Sequence, residues 1–147
     1  STHYHTIYIS AYKIFLDNPI NGIGPNNFRY VCKDPKYNIN SNQKYDNCST
    51  HPHNSYLQLL LETGVFPFLV ITVLFFKIIY QMIILKVKYK PNRYLNYHLC
   101  LLFYIFLVLF PLTPSLSFFN NWINILYYLP VGFYLHSFGY NYKYIPR

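Results

Sequence analysis

From Val65 to Lys86 the chain runs for about 22 residues in which only Thr72, Lys77 and Gln81 interrupt an apolar series. A helix of that length crosses a hydrocarbon core of about 30 Å. Inside lipid an unpaired backbone amide is too costly to keep, so such a segment has to be helical. Two further stretches have the same character. One covers 98–119, where Pro111 and Pro114 should kink or break it; the other covers 122–138, after a polar exit at Asn120-Asn121. The expected fold class is an all-α membrane protein with about three transmembrane helices. Only 11% of the residues are charged, against roughly a quarter in soluble domains, which argues against an ordinary soluble enzyme.

The apolar residues concentrate after Gly64, while residues 1–64 are polar and rich in Asn, Tyr and Lys. Two parts follow: an aqueous loop segment with short helices over 1–64, and a membrane domain over 65–147 with spans at 65–86, 98–119 and 122–138. Within the first part, Ile7, Ala11, Ile14 and Phe15 fall on one face of a helix over 6–16. Residues 21–27 are rich in turn formers, and 33–50 show no hydrophobic period. Pro52 pushes His51 toward extended geometry, and Asn54 or Ser55 can cap the helix that carries Leu57 to Glu62. The chain starts at Ser1 in polar sequence, with neither an initiator methionine nor a signal peptide, and reads as the C-terminal piece of a longer polytopic protein.

The net charge of +8 does not indicate nucleic acid, because the basic residues form no continuous patch. Lys86, Lys88, Lys90 and Arg93 cluster between two apolar runs, which is a topology signal. It assigns 87–97, and with it the tail carrying Lys143 and Arg147, to the cytoplasm. Residues 1–64 and Asn120-Asn121 then face outward. Cys32 and Cys48 both lie in that external segment, where they can pair as a disulfide or stay as two free thiols. Cys100, in an apolar run, reads as a small hydrophobe.

The residues with chemistry gather at His51-Pro52-His53-Asn54. An imidazole can take a proton from an attacking hydroxyl near neutral pH. Asn54 could orient that ring or merely cap the helix, and both histidines could merely serve the turn. His3, His5, His51 and His53 make two H-x-H pairs of a kind zinc accepts, but nothing joins the pairs, and no metal or cofactor is expected. Gly22-Ile23-Gly24 lacks the lysine and hydroxyl of a phosphate loop and reads as a tight turn. Arg29 follows it and could grip a diphosphate or simply lie on the surface. Glu62 could pair with Arg29 or Lys13, orient a histidine, or be the last polar residue before lipid. Lys77, near mid-span, either snorkels to the cytoplasmic face or lines a polar path, which keeps a transporter or channel subunit as an alternative.

These motifs, in this order ahead of a membrane span, resemble the C-terminal conserved domain of the O-antigen ligase/polymerase superfamily. The likeness rests on Asn18-Pro19-Ile20-Asn21-Gly22-Ile23-Gly24-Pro25-Asn26-Asn27-Phe28, a variable loop, and His51-Pro52-His53-Asn54-Ser55-Tyr56-Leu57-Gln58-Leu59-Leu60-Leu61-Glu62-Thr63-Gly64. The resemblance implies a multi-pass glycosyltransferase of the bacterial inner membrane, with residues 1–64 periplasmic. Such an enzyme moves glycan from a polyprenyl-diphosphate carrier to a growing glycan or to lipid A-core, in O-antigen, lipopolysaccharide and other surface-polysaccharide assembly. It implies His53 as catalytic histidine, with His51, Asn54 and Glu62 as further catalytic candidates. Arg29 is its candidate diphosphate ligand, with Gly22, Gly24 and Asn27 beside it in substrate binding. An arginine that the family carries shortly before the glycine-rich motif has no counterpart near Tyr4 to Tyr8, and Pro67 stands where a small residue is common. A non-catalytic remnant of the same family is therefore a second alternative.

Overall fold

Ile7, Ala11 and Ile14 recur at the spacing of one helical face, and all three are fully buried. In the computed structural model, which describes residues 2–37, 48–112 and 114–139, they belong to helix α1 (Thr2–Asp17). This helix starts four residues before the expected 6–16. The single turn α2 (Phe28–Val31) and a 3-10 turn (Pro35–Tyr37) follow. Then come α3 (Ser55–Thr63), α4 (Val65–Lys88), α5 (Arg93–Val108) and α6 (Asn121–Gly139). No strand occurs among the described residues. The tail with Lys143 and Arg147, residues 38–47 of the loop and the side chain of His3 lie outside the description.

The chain forms two units: residues up to 71 with 111–123, and 72–110 with residues from 124 on. Residues 111–123 thus pack with the N-terminal part, not with α4 and α5, although they follow α5 in sequence. In the first unit the buried face of α1 packs with Phe28, Cys32, Tyr37 and Leu61. Each large apolar side chain taken out of water there stabilises the fold by about 1.5–3 kcal/mol. Cys32 and Cys48 are joined as a disulfide, with their Cα atoms 5.3 Å apart. Lys36 Nζ donates to Asp17 at 2.7 Å and fastens the 3-10 turn to the end of α1.

The glycine-rich segment is held to α3 by its own backbone. The last carbonyls of a helix have no partner within it. Here Ile23 N–H donates to the Leu61 carbonyl at 3.0 Å and Gly24 N–H to the Glu62 carbonyl at 2.8 Å. The Glu62 side chain, fully buried, reaches back to accept from Asn26 N–H and Phe28 N–H, each at 3.0 Å, and from Gln58 Nε2 at 3.0 Å. Close approach of two backbones needs glycine. A Cβ on Gly22 would run into the Glu62 carbonyl group, and one on Gly64, which ends α3 at φ +84°, would run into the Ile20 carbonyl. Gly64 thus separates α3 from α4, and Val65 N–H closes the joint by donating to the Pro19 carbonyl at 3.0 Å.

In the second unit Leu85 of α4 packs with Leu95 and Leu102 of α5, with Ile78, Met82 and Tyr134 around them. Helix α4 has 24 residues and a mean hydropathy of 2.4 over its most apolar 18. It is the one described helix long and apolar enough to cross a membrane. Where the second span is expected, over 98–119, the helix has other bounds. It covers Arg93–Val108, and its 16 residues reach only about 24 Å. It starts earlier than residue 98 because Asn92 caps it, Oδ1 accepting from Leu95 N–H at 2.8 Å. It stops before residue 119 because Pro111 has no N–H to give and restricts the residue before it. The third helix, α6, has the length, but its Asn, His and Tyr residues lower its apolarity, and Pro130 lies inside it.

Two outcomes test the joint between the glycine segment and α3. Gly64→Ala should cost about 2–4 kcal/mol in thermal or denaturant unfolding in detergent, through positive φ and backbone collision. Gly132→Ala, whose Cβ meets nothing within 4 Å, should leave stability unchanged within about 0.5 kcal/mol. Glu62→Gln turns an amide N–H toward a backbone N–H and should cost about 1–3 kcal/mol by the same measurement. Equal behaviour of the two glycine variants would remove the steric account.

Candidate active site

Asn54 begins α3 and is fixed from two sides. Its Oδ1 accepts from Leu57 N–H at 2.9 Å as the N-cap, and its Nδ2 donates to the Pro111 carbonyl at 2.7 Å. The second contact comes from a strap whose described residues, 111–112 and 114–120, lie in no helix. Ser115 N–H donates to the His53 carbonyl at 3.0 Å, and Ser55 Oγ donates to Ser115 Oγ at 2.8 Å. Gln58, almost fully buried, donates to Ser117 Oγ at 3.1 Å and accepts from Phe118 N–H at 2.8 Å. Gln58 therefore joins the strap to Glu62, and through Glu62 to the glycine segment.

The two histidines differ in how they are held. His51 is buried; its Nε2 faces the Ser115 carbonyl at 3.3 Å, and its Nδ1 faces Thr50 Oγ1 at 3.0 Å. A carbonyl only accepts, so Nε2 carries the proton in a neutral ring, and Thr50 donates to Nδ1. Burial, then the neighbouring His53, push the His51 pKa below the ordinary imidazole value. His53 is only half-buried and sits at φ +55°, a left-handed backbone that few side chains adopt without support. Its Nε2 lies 3.1 Å from Ser49 Oγ, and its ring meets Tyr4 edge-on with centroids 5.4 Å apart. The two imidazole centroids are 4.3 Å apart. Among the described residues, no three His, Cys, Asp or Glu side chains converge as a metal would require.

Burial pushes the Glu62 carboxyl up, while the N–H groups of Phe28 and Asn26, the Gln58 amide and the Arg29 charge pull it back. Arg29 Nε is buried with no hydrogen-bond partner, and its Nη2 makes a long 3.5 Å contact to Asn26 Oδ1. Asn26 is itself at φ +60°. Asn27 donates from Nδ2 to the Ile23 carbonyl at 2.8 Å, which braces the turn, and Gly24 Cβ space is closed by the same Asn27 amide.

Arg29 and Asn26 line a cavity of about 700 Å³ together with His51 and Thr50. The strap and the start of α6 supply the remaining lining, among it Ser117, Phe119, Asn120, Asn121 and Trp122. That volume lies in the range of small-molecule sites. The structure therefore brings Arg29 and His51 to one cavity. His53 stands next to His51 without lining the cavity, while Glu62, Gly22, Gly24 and Asn27 form the frame. Lys77 lies outside this site, on an exposed face of α4, where it borders a second, mainly apolar groove with Gln81 and Tyr134. Sequence reasoning missed Gln58, the strap residues Ser115, Ser117 and Asn120, and Asn121 and Trp122 at the start of α6. Their only sequence signal is the pair Pro111 and Pro114, which breaks the helix without saying where the freed chain goes.

No curated protein and no solved structure was found to match the chain. A family model does match: residues 2–72 fit the one described as O-Antigen ligase. The match spans α1, the glycine segment, both histidines, α3 and the first turns of α4, and it places this part of the chain in the O-antigen ligase/polymerase superfamily.

Proposed function

We propose that the chain transfers glycan from a polyprenyl-diphosphate carrier to an acceptor hydroxyl, as an O-antigen polymerase or ligase. The observation that carries this reading is the meeting of Arg29 and His51, with His53 beside it, at one cavity in the unit from which α4 departs. A guanidinium whose Nε has no partner suits a diphosphate oxygen. As the bond between the anomeric carbon and the diphosphate breaks, Arg29 stabilises the charge that collects on the leaving group. His53 takes the proton of the acceptor hydroxyl as its oxygen attacks the anomeric carbon from the other face, so the configuration inverts. His51 stays neutral and holds the strap, Asn54 fixes the start of α3, and Glu62 positions the glycine segment that carries Arg29. The pairing of Cys32 with Cys48 suits an oxidising, periplasmic side for residues 1–64. The strap shares that unit and that side, with α4 as one span of a multi-pass inner-membrane protein.

His53→Asn is the cleanest test, because asparagine tolerates the left-handed backbone and lacks the base. Transfer of lipid-linked glycan in a membrane assay should fall about 10²–10⁴-fold, with unfolding temperature retained. Arg29→Ala should lose about 10²-fold, with partial rescue in Arg29→Lys. Wild-type transfer by His53→Asn would end this reading. The buried neutral His51 has a folded pKa below its unfolded one. The stability it contributes is whole above about pH 6.5 and is lost as pH falls through the lower folded value. Unfolding temperature against pH should therefore drop on the acid side in the wild type, and less steeply in His51→Gln.

A further inference from the structure

The cavity extends past Arg29 and His51. Part of its lining comes from the strap and the start of α6, where Asn120, Asn121 and Trp122 stand. Trp122 is 81% exposed and is the one tryptophan of the sequence. Asn120 Oδ1 accepts from Trp122 N–H at 3.0 Å, and Asn120 N–H donates to the Ser117 carbonyl at 3.2 Å, so the local backbone is set by the strap. Ser117 is in turn fixed by Gln58. An indole offers a broad apolar face with a polar edge, and primary amides offer a donor and an acceptor side by side. Together these are complementary to a pyranose, which presents C–H groups on its faces and hydroxyl pairs at its rim. A bare phosphate or a lipid tail would use one half of this lining and leave the other half unmatched.

We infer that Trp122 and the Asn120-Asn121 amides form a sugar subsite in the same cavity as Arg29, holding the first sugar of a diphosphate-linked glycan against the indole. This rests on the glycan-transfer reading of the preceding section and deepens it. Arg29 takes the diphosphate, the end of the strap and the start of α6 take the adjoining sugar, and together they place the anomeric carbon within the site. Specificity for the sugar then resides in residues 120–122, about 70 positions beyond the histidines.

Because Trp122 is the single tryptophan, its fluorescence reports the subsite directly. The full chain in detergent is titrated with lipid-linked glycan extracted from the source membranes, with prenyl diphosphate freed of its glycan, and with glycan-free vesicles. A saturable change with the glycan-bearing lipid alone is expected, weakened at least tenfold in Arg29→Ala. In the transfer assay Trp122→Ala should raise KM about tenfold or more, with kcat within about threefold. Trp122→Tyr should recover most of the loss, and Asn121→Ala should move KM in the same direction. His53→Asn should lose kcat while keeping the fluorescence titration. An equal fluorescence response to prenyl diphosphate or plain vesicles makes Trp122 a membrane anchor and overturns the subsite, as does an unchanged KM in Trp122→Ala. Full transfer by His53→Asn together with a glycan-specific response would instead remove the catalytic reading and leave the sugar site standing.

Discussion

The end of α3 holds the first unit together. Two backbone carbonyls and one buried carboxylate, all from Leu61 and Glu62, take four N–H groups from residues 23 to 28. A helix C-terminus lacks partners by construction, and a tight glycine turn has N–H groups to spare. Joining the two satisfies both without any side chain except Glu62. The burial of that carboxylate is costly, and the cost is offset by the three donors it meets. Remove the donors and the charge would have no reason to be inside.

The same joint sets the site. Arg29 is one residue beyond Phe28, whose N–H is bound by Glu62, so the guanidinium starts from a fixed backbone. At the other end of α3, Asn54 caps the helix and receives the strap. The two positive-φ residues, Asn26 and His53, sit at these two fixed points. Each strained residue is held by a bond to its own backbone: Glu62 on the Asn26 N–H, and Ser115 N–H on the His53 carbonyl. Strain of this kind persists only where neighbours over-determine it, and it gathers at functional sites.

What could be read in the sequence was local. The buried face of α1 follows from Ile7, Ala11 and Ile14, the start of α3 from Asn54, and α4 from its long apolar run. The glycine turn was legible as a turn, but its docking on α3 was not. Glu62 was legible as a polar residue near the histidines, and its direction was not, because that depends on where residues 26 and 28 lie. The strap was the largest surprise. Pro111 and Pro114 announce a break in the second span, yet the partners of the strap, His51, Asn54 and Gln58, are 57 to 64 residues away. No period or propensity encodes such a distance. The cavity wall at Asn120 to Trp122 was hidden for the same reason.

The disulfide has a consequence for how such a chain can vary. Cys32 follows α2, Cys48 leads toward His51, and their Cα atoms are 5.3 Å apart. The chain between Tyr37, which packs in the core, and Cys48 thus starts and ends on the frame. Lengthening or shortening it adds nothing to the distance that α2 and the histidine turn must keep. Closing a longer loop adds entropy only logarithmically. The bridge therefore acts as a hem: length between Tyr37 and Cys48 can be let out or taken in while the cut of the garment, from Arg29 to His53, stays the same.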